Sequence, residues 1–427
     1  MASRRTERRQ VRIVRNVFKS GSHPESLRFT GRKLSGLFLG ALILVLWRTT
    51  LAVPHIPAND AVVLEHVPAA VASRKLEPLR AFWAAHPEDL RNALALAQGY
   101  LDIGRANADP RFVSYAQATL QPWLSRQHPD PAVLTLAATC LQYLHRFDEA
   151  LVLLDRALAE QRFNGQAWLI KATILQVQGR FAPARQACRP LIQVSGHLIA
   201  LTCLTSVNSL TGGLTASYHA LSSVFVDDPR LEVGVRVWIL NELADMAQRL
   251  GDDRAAEARL LAALQAAPQD GYSKAAYADL LLTENRNTEV VRLLRGDASQ
   301  DNLLLRLAIA ATRLRSTQGP NFSEMFQARY EAARRDGDFT HLREQARFIL
   351  EVRGDARQAL QLAERNWQVQ REPADVRIYY AAATAAADAA ALRNLETWIA
   401  QTHYEDRTLD EVGNAGGRAA QARLVGR

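Results

Sequence analysis

Ten histidines, three cysteines and forty-four carboxylates are the groups in this 427-residue chain that could do acid–base, nucleophilic or metal chemistry. Their spacing forms no catalytic arrangement. There is no HExxH pair to hold zinc on one helix face, no GxSxG turn to expose a serine and no GxxxxGK loop to cradle phosphate. Gly212-Gly213 has neither a following lysine nor a preceding strand. His219 and His341 stand alone, and Asp252-Asp253 falls where a hairpin turn leaves both acids solvated. Glutamates on the helical stretches alternate with arginines, as on ordinary helix surfaces. We therefore expect no catalytic residue, cofactor or metal, and a protein that is not an enzyme.

The cysteines are Cys140, Cys188 and Cys203, an odd number without CxxC spacing. Cys140 and Cys188 sit on helical stretches among apolar neighbours, the pattern of buried free thiols. A Cys188–Cys203 bridge is compatible with a body outside the cytoplasm, but spacing alone leaves the connectivity open.

The net charge is +8, and its location matters more than its size. Arg4, Arg5, Arg8, Arg9, Arg12, Arg15, Lys19, Arg28, Arg32 and Lys33, set against Glu7 and Glu25, account for all of it. The chain after residue 33 carries no net charge, so it lacks the basic footprint that phosphate binding needs. No nucleic-acid partner is expected.

Leu34 to Val53 reads LSGLFLGALILVLWRTTLAV. The uncharged part, Leu34 to Trp47, would make about 21 Å of helix, short of the ~30 Å hydrocarbon core. Extending to Val53 reaches the required length, with Arg48 near the far end where it can snorkel to the headgroups. Trp47 suits the interfacial belt, and Pro54 ends the helix. The basic flank precedes the segment and Arg74 is the first cation after it, so the positive-inside rule places residues 1–33 in the cytoplasm. A cleaved signal peptide is the lesser reading, because the basic region is long and Thr50-Leu51-Ala52 is a poor cleavage site. A buried core helix fits Arg48 and the asymmetric flanks less well still.

Beyond a proline-bearing stalk, Ala and Leu dominate and strand-forming runs are rare, which favours helix. His145-Arg146-Phe147-Asp148-Glu149-Ala150 and Gly179-Arg180-Phe181-Ala182-Pro183-Ala184 correspond at a spacing of 34, as do Ala138 and Ala172. Each unit reads as helix, tight turn, helix. His145 takes the turn position that glycine fills elsewhere, and histidine tolerates the left-handed region better than most residues. Trp168, Ala157, Ala244, Gly251, Ala256, Ala263, Pro268, Ala278, Gly354 and Ala359 continue the pattern. In this the chain resembles the tetratricopeptide repeat family, in its membrane-anchored bacterial type, over roughly residues 90 to 400. The register weakens at the Asp109 insert, between Ser195 and Asp228 with Gly212-Gly213 as its turn, and around Asn321.

The resemblance implies an all-α superhelix of hairpins whose first helices line a concave groove. Carried over residue by residue, that groove holds Thr139, Gln142, Tyr143, Thr173, Gln176, Trp238, Asn241, Asp245, Gln248, Arg249, Tyr272 and Asp279, with Trp238 as apt for the core as for a ligand. This mixture suits a protein or extended peptide, whose backbone amides need partners. The family's clamp for a terminal carboxylate requires lysine and asparagine at set positions that do not carry them here. The expected organisation is a basic cytoplasmic tail (1–33), a transmembrane helix (34–53), a stalk (54–74), the solenoid (75–402) and a disordered tail (403–427). The expected function is a protein-binding scaffold without cofactors, single-pass in the inner (plasma) membrane, with its solenoid on the periplasmic side. By analogy of fold, an assembly factor for secretion, surface polysaccharide or a membrane metalloenzyme is the alternative.

Overall fold

The computed structural model describes residues 74–107, 109–335 and 341–409. The basic tail, the expected transmembrane helix at 34–53, nearly all of the stalk and the chain after 409 lie outside these residues. Among the described residues there is no strand, and no helix is long and apolar enough to cross a membrane.

A lead helix α1 (Glu77–Ala85) is followed by paired helices. The pairs are α2 (Leu90–Asn107) with α3 (Pro110–Leu124), α4 (Pro131–Tyr143) with α5 (Phe147–Glu160), and α6 (Gly165–Val177) with α7 (Phe181–Cys188), which the short α8 (Leu191–Val194) extends. Then come α9 (His197–Ser209) with α10 (Leu214–Val224), α11 (Val233–Arg249) with α12 (Asp253–Ala266), and α13 (Gly271–Thr283) with α14 (Asn287–Leu294). The last are α15 (Asp301–Arg313) with α16 (Gly319–Arg335), α17 (Leu342–Phe348) with α18 (Ala356–Trp367), and α19 (Pro373–Ala386) with α20 (Ala389–Thr402).

One turn recurs inside these hairpins. The residues His145, Gly179, Gly212, Gly251, Asn285, Arg315, Gly354 and Ala387 all have positive φ. The next residue's N–H then reaches back five positions to close the first helix: Arg146 to Leu141 at 2.9 Å, Arg180 to Leu175 at 2.7 Å, Arg286 to Leu281 at 2.8 Å, Asp388 to Ala383 at 3.0 Å. That closure satisfies carbonyls the helix end would otherwise leave unpaired. In the α17 hairpin the reach is six, Asp355 to Ile349 at 3.1 Å, because a π-helical turn at Ile349–Arg353 adds one residue.

Phe147 and Phe181 begin the second helices and are buried beneath their turns. Ala138, Ala150, Ala172 and Ala184 are buried where helices cross, as are Ala244, Ala256, Ala263, Ala278 and Ala359. Many first helices start from an acid or amide whose side chain accepts an early backbone N–H: Asp130 from Ala132, Asn164 from Ala167, Asp270 from Ser273. Asn164 also donates to the Thr135 hydroxyl at 3.0 Å, tying successive units together.

The coil of hairpins is tight enough for late units to meet early ones. Gln300 donates to the Ala106 carbonyl at 3.3 Å, Arg371 N to the Val177 carbonyl at 2.8 Å, and Arg407 N to the Arg249 carbonyl at 2.9 Å. Trp398 of α20 lies 6.3 Å from Phe181, ring to ring.

Two expectations need correction. The tail expected from residue 403 is packed as far as Leu409, since Tyr404 and Leu409 are buried and Asp406 is enclosed by Arg377, Tyr404 and Thr408. Cys188 is not a free thiol: it is bridged to Cys203, tying α7 to α9 with their Cα atoms 5.7 Å apart. Cys140 is free, and burial pushes its thiol up to about 12.

Candidate protein-binding groove

The inner wall is made by the first helix of successive hairpins. On α11 the residues Trp238, Asn241, Glu242, Asp245, Gln248 and Arg249 recur at helical spacing of three and four, so they share one face. Tyr272 and Asp279 continue that wall on α13, Arg306 and Arg313 on α15, Arg343 and Arg347 on α17, and Arg377 on α19.

The wall is ionic. Asp279 accepts from Arg306 and from Arg347, each at 2.5 Å. Burial pushes the Asp279 carboxyl up, but the two guanidiniums outweigh it and hold its pKa below the ordinary value. Arg347 also reaches Glu351 at 2.7 Å. Arg343 serves Glu372 at 2.8 Å, Glu344 at 3.1 Å and Asp375 at 3.4 Å. Asp375 is fully enclosed; desolvation raises it to about 6 despite Arg343, whereas Arg343 overcomes the desolvation of Glu344 and holds it at about 2. Arg377 bonds Asp406 at 2.9 Å and Gln248 at 3.3 Å, so α19 bridges back to α11.

Arg249 is only 1 % exposed. Its guanidinium bonds Asp245 at 2.8 Å and the Ser209 carbonyl and hydroxyl at 2.8 and 2.7 Å. This satisfies a charge that would be very costly to bury alone. Glu242 has no such partner. It accepts from the Trp238 indole at 3.1 Å, a neutral donor. Desolvation therefore dominates and lifts it to about 7.

The expected groove residues fall into three groups. Thr139, Asn241 and Arg249 are buried. The Thr139 hydroxyl returns to the Thr135 carbonyl at 3.0 Å, and Asn241 bonds Ser273 at 2.9 Å between α11 and α13. Tyr143 joins them in packing, its hydroxyl 3.3 Å from the Gly104 carbonyl. Asn241, Arg249 and Tyr143 tie hairpins together, Thr139 closes on its own helix, and all four offer little to a ligand. Asp245, Gln248 and Asp279 line the hollow but are engaged by the chain's own arginines. Gln142, Thr173, Gln176, Trp238 and Tyr272 remain on accessible or half-buried wall, with Gln176 paired to Ser206 at 3.0 Å. Tyr272 is 69 % exposed although it stands on the inner wall.

Comparison with known proteins adds little. No family model matches the chain, and no curated protein does. Among solved structures the chain is similar to a human IFIT1 dimer with PPP-AAAA, at 13% identity over 74% of this chain and 79% of that chain, TM-score 0.44. It is similar to yeast Tom70 at 12% identity over 83% and 86%, TM-score 0.36. It is also similar to a tetratricopeptide repeat protein from Parabacteroides merdae at 13% identity over 68% and 96%, TM-score 0.33. With identities and scores this low, the hairpin architecture rests on the chain's own turns and helix pairs.

Sequence reasoning missed Glu242, Arg306, Arg343, Arg347 and Arg377. Glu242 was legible in principle, four residues from Trp238 on the same helix face. The arginines of α17 and α19 were not, because the register there has drifted too far to project a wall position.

Proposed function

We propose that the chain is a membrane-tethered scaffold whose hairpin solenoid holds an extended polypeptide partner on the extracytoplasmic side. The observation that carries this reading is Tyr272, a large aromatic side chain left 69 % exposed on the inner wall of a helical-hairpin coil. The first helices of earlier hairpins carry amides and a hydroxyl that are accessible or half-buried and suited to a peptide backbone: Gln142, Thr173 and Gln176. The side of the membrane is supported by the confinement of the +8 charge to residues 1–33. The Cys188–Cys203 bridge adds to this, since such bonds persist in oxidising compartments.

A photo-reactive residue at position 272 of the full chain, in its own membrane, should give polypeptide adducts. One at Val152, exposed on α5, should not. Adducts from position 152 alone would transfer the working surface to the outer face. A cytoplasm-only reporter that is active when fused both at residue 70 and at the C-terminus would overturn the topology.

A further inference from the structure

The carboxylates of the inner wall are matched to arginines with one departure among the described residues. Asp245 has Arg249, Asp279 has Arg306 and Arg347, Glu351 has Arg347 and Arg313, Glu372 has Arg343, and Asp406 has Arg377. Glu242 has no ion pair among the described residues and accepts from the Trp238 indole at 3.1 Å. The flanking arginines are already used, Arg249 by Asp245 and Ser209 and Arg236 by Asp227.

One unit further along the wall stands Tyr272, its ring open to solvent. The hydrogen bond from Asn241 to Ser273 at 2.9 Å joins α11 to α13 at the residues next to Glu242 and Tyr272, which sets the two side chains on adjoining parts of the wall. An exposed π face beside an unmatched carboxylate attracts an organic cation: the ring quadrupole and the carboxylate act in the same direction. Phosphate and other anions are repelled. A metal ion is a poorer fit, since no group of three or more metal-ligating side chains converges among the described residues. A side-chain cation supplies the missing charge while its backbone runs along the wall past Gln176 and Thr173.

We propose that Tyr272 and Glu242 form a subsite for the ammonium or guanidinium of a lysine or arginine carried by the extended partner segment, an inference that rests on the function proposed above. Glu242 supplies the charge, Tyr272 the π face, and the Trp238 indole holds the Glu242 carboxylate in place.

The test is selection of a randomised peptide library on the full chain and on its Glu242→Gln variant, both in neutral detergent. The unmodified chain should enrich peptides with lysine or arginine at one fixed position, and the variant should lose that preference. Acetylating the selected lysine, or replacing a selected arginine by citrulline, should weaken binding about tenfold or more, because the charge is removed and the stem kept. Tyr272→Ala should weaken it roughly fivefold. Tyr272 is exposed, so this variant keeps its fold, as a matching melting temperature will confirm.

If the selected peptides carry no basic position, or the neutralised peptide binds as tightly, the cation subsite is overturned while the scaffold reading stands. Equal affinity for the Glu242→Gln variant overturns the subsite in the same way. Failure of either protein to enrich any peptide over bare support overturns both.

Discussion

Acidification should open the joint at His145. This side chain sits at the left-handed turn of the α4–α5 hairpin, stacked 5.4 Å from Phe147 and edge-on to His341 at 6.0 Å. Gln370, from the far end of the chain, lies 3.1 Å from its Nδ1, so the neutral ring accepts the amide proton there. Burial foremost, then His341, lowers its pKa to about 4, from 6.5. The folded state therefore favours the neutral ring, and His145 costs nothing above the unfolded pKa. Stability falls as pH drops from 6.5 through 4, by about 1 kcal/mol near pH 5.5 and about 2–3 kcal/mol near pH 4.5. Glu242 and Asp375, with raised pKa values of about 7 and 6, act in the opposite direction and gain stability over the same range. The comparison must therefore be differential. His145→Asn tolerates the left-handed turn and removes the titration. Urea midpoints of both proteins at about pH 7.5 and about pH 4.5 give the difference, and the variant should lose ~2 kcal/mol less than the parent. Equal losses would show that His145 is not buried neutral and that the Gln370 contact is not as described.

Three further outcomes can be checked by similar means. Ala172→Leu should overpack the α6 crossing and cost ~1–3 kcal/mol in a denaturant midpoint, since Ala172 is buried; an unchanged midpoint would refute the register. Replacing Cys188 and Cys203 by serine should cost about 3 kcal/mol, the chain-entropy value for a loop of this size, because the bridge spans a separation of 15 residues; insensitivity of the parent protein to reductant would refute the bond. Asp279→Ala should cost ~1–3 kcal/mol, since it leaves Arg306 and Arg347 facing each other without their acid; a larger radius in solution scattering would accompany it if that carboxylate sets the coil.

The parts of the fold legible in the sequence are those fixed by local rules. A turn that needs a left-handed residue announces itself as glycine at 179, 251 and 354, and the alanines at 138, 150, 172 and 184 are held small by helices a few ångströms away. Arg315 and Ala387 occupy the same turn with side chains that carry no such signature, and Asn285 carries a weaker one than glycine, which is why the later units escape the 34-residue count. The groove residues were projected from α4, α6, α11 and α13 as if the wall faced solvent. What the projection could not contain is the pitch of the coil. Arg377 meets Gln248 across 129 positions, and Arg347 meets Asp279 across 68. No local pattern encodes such a meeting, because it depends on small rotations accumulated over several hairpins.

That pitch bears on how much of the wall a partner can reach. Buried ion pairs add little net stability, because desolvation offsets most of the attraction. Their stronger effect is on geometry: slipping one hairpin past another would leave an arginine or a carboxylate unmatched inside the coil. We attribute to the Asp279–Arg306–Arg347 and Arg377–Asp406–Gln248 groups the role of fixing where α17 and α19 return against α11 and α13, and the scattering of the Asp279→Ala protein tests it. A wall fixed in this way has already committed Asp245, Gln248 and Asp279 to the chain itself. The surface still open to another polypeptide is then the stretch from Gln142 and Thr173 through Gln176 to Tyr272, with the unmatched charge of Glu242 at its end.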